Sequence, residues 1–153
     1  MKYVAVRHEP QHQNVWYFKV PEELSKYVCV GNNVICDTRY GLTKGKVEYI
    51  LDGVPDLIIE TVGNCVPSKF IKAVETDIDM AEITIPYLFE LSSPDISKLD
   101  ERINDWYKSA RFNTKVEFDA NGVLKDGYSA YLVARMFDHN TLHGMVFANS
   151  PED

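Results

Sequence analysis

The stretch VGNNVICDTRYGLTKGKVEYIL, from Val30 to Leu51, admits few folds. Gly31-Asn32-Asn33 reads as a turn, because glycine and asparagine tolerate positive φ. Asn33 to Thr38 then reads as a strand and Tyr40-Gly41 as a second turn. Thr43 to Leu51 reads as another strand, with Gly45 as a bulge or bend. Short strands with glycine at each corner predict a small, strongly bent β-barrel.

The flanking sequence extends that pattern. Lys2 to His8 alternates as a strand. Glu9 to Asn14 is a polar loop. Val15 to Val20, rich in aromatic and β-branched residues, reads as a strand that Pro21 ends. Beyond Asp52, Leu57-Ile58-Ile59 is a short apolar run among turn signals at Gly53, Pro55, Gly63 and Pro67. Phe70 to Val74 fits a last barrel strand. The acidic run Glu75 to Asp79 is the expected boundary, giving a barrel domain over 1–75 and a second domain over 80–150.

The residues Val30-Gly31-Asn32-x-Val34, Thr38-Arg39-x-Gly41 and Gly45-x-Val47 carry a resemblance. They look like the domain of the bacterial polymerase-suppressor family, and more broadly like small barrels of the Src-homology-three type. Val4 to Arg7 and Tyr17 to Pro21 fit the same domain's opening. Such barrels bind RNA, DNA or peptides, so the resemblance bears on fold more than function. Arg39, Lys44 and Lys46 are the candidate nucleic-acid contacts, with Trp16 and Tyr17 as stacking surface. The competing reading makes the aromatics core and the cations a solvated rim.

The second half alternates strands with helices. Glu82 to Ile85 reads as a strand. Ser93 is the expected N-cap and Pro94 the first helical residue. Ile96, Leu99, Ile103, Trp106 and Tyr107 form an apolar stripe on a helix running to about Ala110 and are expected to face the core. Asp100, Glu101 and Asp105 are expected in solvent. Thr114 to Asp119 is a strand, and Asn121-Gly122 is a hairpin signal followed by Val123-Leu124. Asp126-Gly127 opens a helix from Tyr128 to Phe137, and Gly144 to Ala148 makes a final strand. The predicted class is therefore α+β.

From Glu82 to Ala148 this order resembles the ParB/sulfiredoxin-like fold. The likeness rests on Val116-x-Phe118-Asp119-x-Asn121-Gly122-x-Leu124-x-Asp126-Gly127-Tyr128-Ser129-Ala130-Tyr131-x-x-Ala134. Such a turn and helix N-terminus can hold a phosphate. The resemblance thus implies a ligand site at Asp126, Gly127, Tyr128, Ser129 and Tyr131. The family's signature arginine is replaced by Ala130, and the sulfiredoxin cysteine by Tyr128. The expectation is a fold kept without its chemistry: no catalytic residue and no cofactor. The alternative is a nucleotide-binding enzyme or switch using the Asp126–Ser129 turn.

Charge and cysteine content limit the partners. The formal net charge is −7 over 153 residues. It opposes a large, non-specific nucleic-acid footprint, which needs clustered lysine and arginine. Met1 to Glu60 holds seven Lys/Arg and eight Asp/Glu, a balance of −1, whereas Met80 to Asp153 holds seven and twelve, a balance of −5. On charge alone, the first half is favoured for an anion-binding surface. A protein partner is expected, with nucleic acid as the alternative through the barrel. An acidic protein of a mobile element acting on host machinery fits this charge.

Cys29, Cys36 and Cys65 lack metal spacing and read as small buried hydrophobes in a reducing cytoplasm. No run approaches the length of a membrane span, and no secretory signal is expected. The pairs His8/His12 and His139/His143 are four apart but lack partners for a metal site, so no metal is expected.

Overall fold

The computed structural model describes residues 2–9, 14–53 and 69–149. Leu57-Ile58-Ile59, the turns at Pro55, Gly63 and Pro67, Cys65 and His12 lie outside the described residues. The protein is α+β. It divides into two compact units, Met1–Thr76 with Phe147–Asp153, and Asp77–Val146.

The first unit is built on five strands: β1 (Lys2–Arg7), β2 (Trp16–Lys19), β3 (Asn33–Thr38), β4 (Gly41–Asp52) and β5 (Ile71–Asp79). Their order is β2-β1-β4-β3-β5. The pairs β1–β2, β1–β4, β3–β4 and β3–β5 are all antiparallel. A parallel bridge joins Lys19 to Phe70, where the Lys19 N–H donates to Lys69 O at 2.9 Å. The first and last strands of the order therefore meet. Glu75–Asp79 is strand rather than linker, and the division between units falls inside it.

Four successive residues of β1, Tyr3 to Val6, are buried. Both sides of the strand are thus covered, which is why it reads as a nearly continuous apolar run. Leu24, from a 3₁₀ helix over Glu22–Tyr27 that the sequence pattern did not reveal, is also fully buried. The register of β1 against β4 shifts between Ala5 and Val6, so Glu48 is the extra residue of a bulge. Gly45 is needed nearby. A Cβ there would collide with the Val6 side chain and stand 3.0 Å from His8 Nδ1.

In the second unit, α1 (Tyr87–Leu91) and α2 (Ile96–Ser109) precede β6 (Glu117–Asp119) and β7 (Leu124–Asp126). Then come α3 (Tyr128–Met136) and β8 (Thr141–Phe147). The strand order is β8-β6-β7. The β6–β7 turn is fastened by Asp119, whose Oδ1 accepts from Asn121 N at 2.8 Å and Val123 N at 3.0 Å. This is the local hydrogen bonding expected of an aspartate before Asn-Gly. Phe118 and Leu124 are fully buried, and α3 adds Ala130, Val133 and Ala134 at helical spacing.

Three expectations fail in this unit. Glu82 to Ile85 is not a strand. Met80–Glu82 is a 3₁₀ turn, held by Asp79 Oδ1 accepting from Ala81 N at 3.0 Å. Only Thr84 pairs, in a parallel bridge to Val123. The helix cap is Asp95, not Ser93: the Asp95 carbonyl accepts from Lys98 N and Leu99 N. The Asp95 side chain makes no cap bond, so the start is set by its carbonyl and by Pro94, which precedes it.

The apolar stripe of α2 is not core-facing as a whole. Leu99 and Ile103 are half-buried, while Ile96 and Tyr107 are 78% and 77% exposed. The helix is rolled so that Arg102 and Asp105 turn inward instead. Their Nε and Oδ2 lie 2.8 Å apart with both side chains largely covered, so Asp105 is not in solvent. Arg102 Nε makes this ion contact without hydrogen-bond alignment, which marks it as a contact of charge rather than a directed bond.

Candidate functional site

Strand alternation places the first unit's candidate cations. Along β4, Leu42, Lys44 and Lys46 point outward, while Gly45 and Val47 are buried between and beyond them. Lys46 pairs with Arg7 on one side and Asn33 on the other. Together with His8 and Glu48, these residues line a cleft of about 550 Å³. Arg7 and Asn33 come from strands flanking β4 and His8 follows Arg7, so sequence spacing could not gather them with Lys46. Their signal was only the outward register of Arg7 and Asn33.

Two acids temper this cleft. Arg7 Nε lies 2.8 Å from Glu48 Oε1, and Lys44 Nζ lies 3.9 Å from Glu75 Oε1. The field an anion would meet is therefore weaker than three cations suggest. Arg39 lines none of this cleft. It sits at the β3–β4 tip with its guanidinium 4.8 Å from the centroid of exposed Tyr40. Trp16 is 56% exposed and Tyr17 half-buried, so neither is closed within the core.

The Asp126–Tyr131 turn has the expected backbone. Gly127 is left-handed at φ 97°, ψ 30° and precedes α3. A Cβ at Gly127 would stand 2.7 Å from Lys115 O and 2.9 Å from the Val116 side chain. The close approach that requires glycine is thus made by the protein's own chain. Asp126 Oδ1 accepts from Gly127 N at 2.9 Å, so a carboxylate already occupies the positive end of the helix. Ala130 is fully buried, and a side chain at that position faces the core. The Tyr128 ring stacks on Phe89 at 5.3 Å and lies 6.2 Å from Tyr131. Ser129 is half-buried on the first turn.

A third surface lies outside the sequence reading, which assigned nothing to 87–91 and placed Ile96 and Tyr107 in the core. On α1, Phe89 turns inward onto Tyr128, while Tyr87, Leu88 and Leu91 are exposed. These three occupy one helical face, at spacings of three and four. Ile96 and Tyr107 of α2 add to the exposed apolar side chains of this unit, as do Met136 and Phe137 at the end of α3. Trp106 is better covered, with its ring 4.2 Å from His139 and 5.3 Å from Phe112.

No three His, Cys, Asp or Glu side chains gather at metal distance among the described residues. His143 Nδ1 lies 2.7 Å from Asp77 Oδ1. Cys36 is buried, and burial pushes its thiol up to about 12, far from a reactive thiolate. Cys29 is exposed, contrary to the expectation of three buried thiols. No described helix is long and apolar enough to cross a membrane. No family model matches this chain, and no curated protein or solved structure matches it.

Proposed function

We propose that this chain is a non-catalytic binding protein that engages a protein partner through the helices of its second unit. The observation that carries the reading is the outward face of α1, where Tyr87, Leu88 and Leu91 stand in solvent while a single aromatic, Phe89, points inward. Contiguous exposed apolar side chains on a folded domain mark interaction surfaces. In this reading the first unit is a small β-barrel, supported by the Lys19–Phe70 bridge that joins its outer strands. The second unit is a ParB/sulfiredoxin-like unit without its chemistry, supported by the order β6, β7, α3, β8 that follows its first helices. Two features weigh against a nucleotide at its turn: the Asp126 carboxylate at the head of α3 and the inward Ala130.

Nucleic acid remains the second reading for the barrel, favoured by Lys44 and Lys46 sharing one cleft with Arg7. One experiment addresses both partner classes. Affinity capture from the native host with the wild-type chain is compared with capture by a Leu88→Asp/Leu91→Asp variant. A specific protein captured by the wild type and lost in the variant is the expected result. Identical catches, or a wild-type catch of nucleic acid alone, would overturn the protein reading.

A further inference from the structure

We infer that the partner segment docking on α1 and the start of α2 is a cationic amphipathic helix. This rests on the protein-binding reading above and narrows it to a chemical class.

The apolar contribution comes from Tyr87, Leu88 and Leu91 on one face of α1 and Ile96 at the first position of α2. Tyr87, Leu88 and Leu91 form an apolar strip at helical spacing, with Ile96 five residues beyond Leu91 along the chain, against which the apolar stripe of a partner helix can lie. Electrostatics select the partner's sign. From Tyr87 to Asp100 the acids are Glu90, Asp95 and Asp100, and the single cation is Lys98, a balance of 1 − 3 = −2. All three acids are exposed, and none makes an ion pair with a described residue. Asp100 follows Ile96 by four residues, so it flanks the apolar face rather than lying opposite it. An acidic helix brought to this surface would meet uncompensated like charges, whereas lysines beside its apolar stripe would meet three carboxylates. A second copy of this chain would bring the same acids to the same acids. The charge therefore favours a basic partner over self-association through this face.

The test uses the full chain and two synthetic probes, an amphipathic helix of leucine and lysine and its counterpart of leucine and glutamate. Fluorescence anisotropy of each labelled peptide reads binding at low and high salt. The Leu/Lys peptide is expected to bind, and the Leu/Glu peptide is not. Leu88→Asp/Leu91→Asp should weaken the Leu/Lys peptide by about tenfold or more, as expected for loss of central anchors. Glu90→Lys/Asp100→Lys should weaken it by a similar factor and flatten its salt dependence. The charge reversal leaves the apolar anchors in place, so its result stands even if the aspartate variant folds poorly.

Equal binding of both peptides, no binding of the Leu/Lys peptide, or binding unmoved by either variant would overturn the inference. So would sedimentation showing a dimer that Leu88→Asp/Leu91→Asp dissolves, because the occupant would then be a second copy. If host capture depends on the face while the Leu/Lys peptide fails to bind, only the partner's class falls. If capture is also indifferent to the face, the protein-binding reading falls with it.

Discussion

The two units treat their apolar residues differently. In the first, four consecutive residues of β1 are sealed from solvent and β4 sends its cations outward. In the second, the strands and α3 are well buried, yet α1 and α2 contain no fully buried residue. A strand with both faces covered, as β1 is, consumes its hydrophobic residues internally. A helical layer covering one side can leave an equally apolar stripe outside. Hydrophobicity alone therefore separated core from surface along β1 and failed to do so along α1 and α2, as it did at Leu42 and Tyr49 of β4. On the reading proposed above, Tyr87, Leu88, Leu91 and Ile96 serve interaction rather than packing.

The strongest way to break this comparison lies inside the second unit. Phe118→Ala, at a fully buried position, should lower unfolding free energy by about 3–5 kcal/mol in denaturant titration. Ile96→Ser should change it by no more than about 0.5 kcal/mol. A loss above about 2 kcal/mol for Ile96→Ser would mean that the stripe is core after all.

Glycine substitutions sharpen the contrast between units. Gly127→Ala meets both a positive φ and the Lys115 carbonyl, and should cost about 2–3 kcal/mol by thermal unfolding. Gly45→Ala meets the Val6 side chain without a positive φ, and should cost about 1–3 kcal/mol. A Gly45→Ala protein as stable as wild type would show that β1 and β4 can separate freely at the bulge.

The last effect is nil at neutral pH and appears only in alkali. The Cys36 thiol titrates near 12 when folded against 9.0 as its ordinary value, so folding favours the protonated form. Its contribution is complete below about pH 9 and declines as pH rises toward 12, by about 1.4 kcal/mol per pH unit. Cys36→Ala should remove that slope, so the wild-type and variant stabilities converge as pH rises from 9. Parallel curves would show that the thiol ionises without opening the first unit.

Much of this architecture was legible in the sequence. The strand Asn33–Thr38, the Asp119–Val123 turn and the helix after Gly127 follow from turn chemistry and alternation, which are local properties. What was not legible depended on rotation or on distant strands. The roll of α2 cannot be read from a stripe whose residues are apolar whichever way it faces. The cleft around Lys46 required Arg7 and Asn33 to arrive from neighbouring strands. The 3₁₀ turn at Met80–Glu82 was hidden because one hydrogen bond to Asp79 outweighed the alternation of Glu82 to Ile85.

One residue, Thr84, has an influence larger than its single bridge. Its N–H donates to Gly122 O at 3.0 Å, and its carbonyl accepts from Leu124 N at 2.9 Å. Those two bonds cover backbone at the start of β7 that would otherwise be open to an extended chain. The unit's exposed apolar side chains lie instead on or at the ends of helices, whose peptide groups already bond within the helix. Exposed side chains on a helix offer no free backbone to a neighbouring chain, so the route to runaway strand stacking is narrowed.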